Sequence, residues 1–176
     1  VCSSLNRNSG TMVREKTKME KMLISGVAAD KNVAKIRVAG LGNDPESTFR
    51  LLNLLDRNNL NIDVMIQSLG KDGTKSVSFT VAKPDMLRTI DVLNDNKDLL
   101  GIKKLDYDEN VAKISVIGAG VRSHSGVAAK MFGALANAGI NTEMVTTSEI
   151  RITALIDEAY ADQAMRAIHE TFLERV

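Results

Sequence analysis

The chain repeats itself. Residues 33–66 read VAKIRVAGLGNDPESTFRLLNLLDRNNLNIDVMI, and residues 111–145 read VAKISVIGAGVRSHSGVAAKMFGALANAGINTEMV. Val33-Ala34-Lys35-Ile36 matches Val111-Ala112-Lys113-Ile114, and Gly40 matches Gly118. After a two-residue insertion, Leu51, Leu52 and Leu55 fall on Met131, Phe132 and Leu135. Leu60-Asn61 then falls on Ile140-Asn141, and Asp63 on Glu143. Identities and apolar spacing agree together, which marks a duplication and fixes the organisation before any single element is assigned.

Each copy reads as the same succession of elements. A first strand alternates apolar and polar residues around Ile36 and Val38, or Ile114 and Val116. A loop rich in Gly, Asn, Asp or Ser leads into a helix. In the first copy Asp44 suits the N-cap and Pro45 the first helical position. In the second, Ala128, Met131, Phe132 and Leu135 lie at helical spacing on one face. Asn58-Asn59 and Gly139 are stop signals. A second strand is expected from Ile62 through Ile66 and over 141–147. A turn at Lys71-Asp72-Gly73 leads to a third strand with Val77, Phe79 and Val81, matched by Ile150, Ile152, Ala154 and Ile156. Second helices are marked by Leu87, Ile90 and Leu93, and by Ala161, Met165, Ile168 and Phe172.

A fourth strand near 101–107 completes β-α-β-β-α-β in the first copy, the ferredoxin-like unit. The second copy runs out of chain after its last helix. Residues 22–28 are a spare apolar strand ahead of the first copy, and a sheet lacking its edge strand exposes backbone groups. Either those residues complete the second copy, so that the first is inserted in it, or they form an edge or linker strand outside both. The expected fold is α+β, two ferredoxin-like units with one inserted in the other. The expected division is a leader at 1–20, one unit at 33–107, and a second at 21–32 plus 108–176.

Composition narrows the function. The 176 residues carry 23 Lys and Arg against 22 Asp and Glu, so there is no basic excess for a polyanion. Aromatics are 3% with no Trp, which leaves no set of rings for stacking bases. Cys2 is the single cysteine, so no internal disulfide and no multi-cysteine metal site are expected; one Cys with two His suits a reducing, cytoplasmic compartment. The start Val-Cys-Ser-Ser has no signal-peptide pattern and reads as a fragment or processed piece.

Gly118-Ala119-Gly120 follows a strand, yet the third Gly of a dinucleotide fingerprint is replaced by Ser123. His124 reads as a loop or cap residue, and His169 as a solvated helix residue. Asp106, Asp108 and Glu109 read as a solvated linker between the copies. No nucleophile, metal cluster or phosphate loop stands out, so no catalytic or metal residue is expected. What remains is the helix N-terminus of each copy, whose free N–H groups suit a carboxylate. Beside it, Asn61-Ile62-Asp63 and Asn141-Thr142-Glu143 either hold an ammonium group or are turn residues only. On strand alternation, Asp63, Met65 and Gln67 are expected on one face and Ile62, Val64 and Ile66 on the other, with the apolar face toward the helices.

The stretches Leu23-Ile24-Ser25-Gly26-Val27-Ala28, Asn61-Ile62-Asp63-Val64-Met65-Ile66-Gln67, Ile117-Gly118-Ala119-Gly120 and Thr147-Ser148-Glu149-Ile150-Arg151-Ile152 resemble the regulatory region of aspartate kinase. So do Ala167-Ile168-His169-Glu170-Thr171-Phe172 near the end and Ser3-Ser4-Leu5-Asn6 with Gly10-Thr11-Met12 near the start, so that the resemblance follows nearly the whole chain. It implies paired ACT domains that bind threonine and/or lysine and inhibit a kinase that phosphorylates aspartate with ATP. It implies a homodimer through ACT–ACT pairing, and a catalytic domain or subunit as partner that would hold the ATP and Mg; no cofactor is expected in this chain, nor kinase activity from it alone. The alternative is a free-standing ACT sensor with another amino acid as ligand. By position, the resemblance implies effector contacts at Asn43, Asp44, Pro45, Glu46, Ser47, Thr48, Asn61, Ile62, Asp63 and Gln67. In the second copy it implies Ser125, Gly126, Val127, Ala128, Asn141 and Thr142. Departures from the family pattern are Asn43, Glu46 and Ser125; Glu46 places a carboxylate close to where the effector's own should sit, or points away as a first-turn acid.

Overall fold

The computed structural model describes residues 24–119, 121 and 126–172. Six strands form one antiparallel sheet in the order β2-β3-β1-β4-β6-β5. They are β1 (Gly26–Leu41), β2 (Met65–Leu69), β3 (Lys75–Ala82), β4 (Lys104–Ile117), β5 (Met144–Thr147) and β6 (Arg151–Asp157). The helices are α1 (Pro45–Arg57), α2 (Met86–Asp95), the single turn α3 (Lys97–Leu100), α4 (Val127–Asn137) and α5 (Ala161–Phe172). The residues expected as a leader, 1–20, lie outside the described part.

The two copies share their central strands. The spare strand expected at 22–28, of which 22 and 23 lie outside the described residues, is not separate from the first strand of copy one: Gly26–Leu41 is one strand of 16 residues. Its first part, 26–30, pairs with Lys113–Ile117 of copy two, and its later part, from Val33 on, pairs with β3 and with residues 104–108. In the same way β4 begins as the fourth strand of copy one and continues as the first strand of copy two. The fold is therefore α+β, two ferredoxin-like units with the first inserted in the second. Asp106, Asp108 and Glu109, expected as a linker, lie inside β4. A linker was unnecessary because the last strand of one unit runs straight into the first strand of the next.

The register is twofold. Ile36 faces Phe79 and Tyr107, while its counterpart Ile114 faces Ala154 and Ala29. At the crossing point the β1–β4 ladder shifts on both sides of the Val33–Val111 pair. Bulges of this kind bend and twist a sheet locally.

Alternation sends Ala34, Ile36 and Val38 into one core with Leu51 and Leu55 of α1 and Val77, Phe79 and Val81 of β3. Ala112, Ile114 and Val116 join Met131 and Leu135 of α4 and Ile168 of α5 in a second. A third, smaller cluster joins Val33, Val64, Val111, Met144 and Leu155, drawn from both copies. Some helix faces differ from expectation. Leu87 and Ala128 are exposed, while Met86 and Val127 are buried one residue earlier. The helices start there, and the i, i+4 spacing from those first residues sets the buried stripe. Met165 is half-buried, and Ala164 takes the core position.

The second strands begin later than expected, at Met65 and Met144. Ahead of Met65 the pairing is irregular, because Thr80 meets two residues. The Asp63 N–H donates to the Thr80 carbonyl at 3.1 Å, and the Thr80 N–H donates to the Val64 carbonyl at 2.9 Å. The Val64 N–H then donates to Thr80 Oγ1 at 3.1 Å. This slip changes the faces. Ile62 and Met65 pack on the helix-side core, whereas Val64 and Ile66 pack on the third cluster. Gln67 thus shares the helix-facing side with Met65, opposite to the sequence expectation.

Because β1 and β4 belong to both cores, the units should unfold together. Ile36→Ala and Ile114→Ala each empty a fully buried site and should each cost about 2–5 kcal/mol. Urea unfolding followed by circular dichroism should show one transition in both variants. Two steps, with the unsubstituted unit surviving, would contradict the shared-strand account.

Candidate functional site

The start of α1 is tightly built. The Asp44 carboxylate accepts from the N–H groups of Glu46 (3.0 Å) and Ser47 (2.9 Å) and from the Ser47 hydroxyl. The Ser47 hydroxyl does most to hold the Asp44 carboxyl below its ordinary value; burial opposes, and the N–H donors add to the lowering. A Cβ on Gly42 would sit 2.6 Å from Asp44 Oδ2, so glycine is needed for this cap to close. Lys75 Nζ donates to the Asp44 carbonyl at 2.8 Å and fixes the loop to β3.

Pro45 has no N–H, and Asp44 takes those of Glu46 and Ser47. The free donors expected at this helix start are therefore largely used by the chain itself. Glu46 pairs with Arg50 at 2.5 Å, one turn along the helix. Asn43 is exposed. The residue that reaches across is Thr48, whose hydroxyl donates to Gln67 Oε1 of β2 at 2.6 Å. The structure thus brings the α1 start and Gln67 together, with exposed Asn61 and half-buried Ile62 in the segment leading to β2.

The second copy is not capped in this way. Gly126 precedes α4 with φ of 130°, a conformation that side chains rarely adopt, and among the described residues no side chain caps the first N–H groups of the helix. Val127 is buried and Ala128 exposed at this start, while Asn141 is exposed and Thr142 half-buried near β5. Ser125, with Ser123, His124 and Gly120, lies outside the described residues. His169 is exposed on α5.

Asp63 does not join Gln67. It bonds Lys113 of the other copy, and Lys113 also lies 3.1 Å from Asp30. The same contact recurs in reverse, where Lys35 bonds Glu143. Lys35 and Lys113 are counterparts, as are Asp63 and Glu143, so the lead-in to each second strand is tied to the central strand of the other unit. A third ion pair, Lys83 to Glu158 at 2.8 Å, joins the equivalent turns after β3 and β6. Burial alone would lower the Lys113 ammonium, but its bonds to Asp63 and Asp30 outweigh this and raise it. Burial works to raise Asp30, and the Asn32 N–H with Lys113 brings it below its ordinary value. Sequence reasoning missed these lysines as partners, although the repeat itself carried the signal by keeping Lys and an acid at matching places.

Among the described residues no cluster of His, Cys, Asp or Glu suited to a metal is present, and no helix is long and apolar enough to cross a membrane.

Comparison with known proteins follows the same lines. An ACT domain family model matches residues 114–172. Curated aspartokinases are similar over nearly the whole chain: that of Pseudomonas aeruginosa is 35% identical over 98% of it, and that of Helicobacter pylori 38% identical over 97%. The chain spans 42% and 43% of their lengths. Among solved structures, one of aspartokinase alpha and beta subunits is 41% identical with a TM-score of 0.79; the match covers 85% of this chain and 98% of that one. The ligand-free regulatory subunit of aspartate kinase from Thermus thermophilus is 32% identical with a TM-score of 0.80, over 85% of this chain and 99% of that one. The chain belongs to the aspartokinase family, in the regulatory region built from ACT domains.

The Lys113 cluster makes a pH prediction. Lys113→Met should lower stability by about 1 kcal/mol near neutral pH. The raised Lys113 stabilises fully below the unfolded lysine value of about 10.4, and this is lost as pH rises through the raised folded value. The lowered Asp30 stabilises fully above about 3.9, and this is lost as pH falls through the lowered folded value. The difference between parent and variant should be flat between about pH 5 and 9 and close at both ends. Denaturant midpoints across that range test it, and a difference that varies near neutrality contradicts it.

Proposed function

We propose that this chain is the amino-acid sensor of an aspartate kinase, binding threonine and/or lysine and so feedback-inhibiting the phosphorylation of aspartate in lysine, threonine and methionine biosynthesis. The kinase chemistry, with ATP and Mg, belongs to a catalytic domain or subunit with which this chain associates. The observation that carries the reading is the hydrogen bond from Thr48 to Gln67, which joins the first helix start to the second strand. A side-chain amide there both donates and accepts, and so reads an effector's ammonium or hydroxyl. Around it stand Asn43–Thr48, Asn61 and Ile62. In the second copy, Val127 and Ala128 open a helix that has no side-chain cap among the described residues, which suits the effector's carboxylate, and Asn141 and Thr142 complete the set. Asp63, held by Lys113, acts by tying the site to the other unit and does not touch the effector.

The sheet ends at β2 on one side and β5 on the other, each an edge with unpaired backbone groups. We further propose a cytoplasmic homodimer in which ACT units of two chains pair along these edges, completing the effector sites.

Calorimetric titration with threonine and with lysine tests the binding. Gln67→Ala should weaken the effector about tenfold to a hundredfold, through loss of one charge-assisted bond of roughly 1.5–3 kcal/mol, with folding little changed. Unchanged affinity for whichever ligand binds the parent chain removes Gln67 from the site. A thermal-shift screen of the other amino acids separates this reading from a sensor of a different ligand. Light scattering should report twice the mass of one chain at high concentration; a monomer with both ligands present contradicts the dimer.

A further inference from the structure

The α1 start of copy one has spent its own donors. Pro45 has no N–H, and the Asp44 carboxylate holds those of Glu46 and Ser47 at 3.0 and 2.9 Å. The neighbouring cations are engaged as well. Lys75 Nζ donates to the Asp44 carbonyl at 2.8 Å, and Arg50 pairs with Glu46. An anion arriving here needs a donor that is not part of the helix.

Gln67 supplies one because of how it is held. Its backbone pairs with Val77 of β3, which puts it on the helix-facing side of the outer strand. A threonine hydroxyl in a helix commonly donates to the carbonyl four residues back. For Thr48 that carbonyl is Asp44, which already receives Lys75. The Thr48 hydroxyl donates instead to Gln67 Oε1, at 2.6 Å. An amide has one accepting end and one donating end. With Oε1 turned to Thr48, Nε2 and its two hydrogens are turned away from it, and Gln67 is exposed. An unconstrained amide reads either kind of partner; Thr48 removes the choice.

Copy two shows the complementary arrangement. Thr48 corresponds there to Ala128, and Gln67 to Thr147, which faces Ile152 as Gln67 faces Val77. The copy whose helix start is sealed has the oriented amide. The copy without the amide has a helix start with no side-chain cap among the described residues. The acids nearest the amide are matched by cations, since Glu46 turns along α1 to Arg50 and Asp63 turns to Lys113.

We propose that in copy one the effector's carboxylate binds the donating end of the Gln67 amide, and that Thr48 is the positioning residue that holds the amide in this orientation. The inference rests on the amino-acid reading above and fixes which end of the ligand Gln67 meets. The bond is charge-assisted, from a neutral N–H to a carboxylate.

The test is calorimetric titration with threonine, with lysine, and with the carboxamide of each, which lacks the negative charge. For whichever amino acid binds the parent chain, Gln67→Glu should weaken it about tenfold or more, because two carboxylates then face each other. The carboxamide, which can donate to the new acid, should lose less or gain. Thr48→Val should weaken the amino acid about threefold to tenfold, and Thr48→Ser, which restores the hydroxyl, should recover it. In the ligand-free chain, NMR signals of the Gln67 side-chain amide should move in Thr48→Val and return in Thr48→Ser. Undiminished binding by Gln67→Glu, an equal loss for amino acid and carboxamide, or unchanged affinity or amide signals in Thr48→Val would each overturn the proposal and leave the amino-acid reading standing. Failure of both threonine and lysine to bind the parent chain overturns that reading, and this inference with it.

Discussion

Everything in this molecule hangs on one antiparallel pair of strands. β1 and β4 each serve as the edge of one unit and then, a few residues later, as the inner strand of the other. A single ferredoxin-like unit needs a fourth strand to satisfy its backbone and cover its core. Here each unit takes that strand from the segment that enters or leaves its twin. No flexible joint separates the units, and the apolar clusters on either side are built on the same two lengths of chain. The bulges beside Val33 and Val111 let the shared strands change direction while keeping their pairing on both sides.

Charge reinforces the exchange. The pairs Lys35–Glu143 and Lys113–Asp63 cross the local twofold in opposite senses, and Lys83–Glu158 lies between equivalent turns. Ion pairs at half-exposed positions contribute modestly to stability. Their geometry matters more here, since Asp63 and Glu143 sit directly before β2 and β5. A ligand that shifts Asn61 and Ile62 moves the partner of a lysine in the other unit. Binding at the proposed effector site in one copy would have a short physical route to the central strand of the other.

Duplication leaves a built-in comparison, and the differences between the copies are informative. The α1 start is closed by Asp44 and Pro45, while the α4 start has Gly126 and, among the described residues, no side-chain cap. At equivalent places in the sheet, one unit carries an exposed Arg37 and the other Ser115, which lines a cavity. The cores, by contrast, keep the same strand positions, Ile36 and Ile114 or Val38 and Val116, because any change there costs packing energy. The copies have kept their interiors and diverged at their surfaces, where sites are made.

The sequence by itself determined the repeat, the order of elements, the Asp44–Pro45 helix start, the stops at Asn59 and Gly139, and most of the residues that fill the two cores. All of these depend on local chemistry: caps, turns, and apolar residues at a period of two or 3.6. The assembly of a site was less legible. Gln67 was placed on the wrong side of its strand, since the slip at Thr80 reverses the alternation and no nearby residue announces it. Asp106 and Asp108 looked like a linker because acidic residues at the junction of two repeats are equally compatible with a strand crossing between them. Which lysine meets which acid, and that Arg151, Ser115 and Ala28 line one cavity, was decided only by tertiary structure. Those neighbours are far apart along the chain, and only the pairing of β1 with β4 sets their distance.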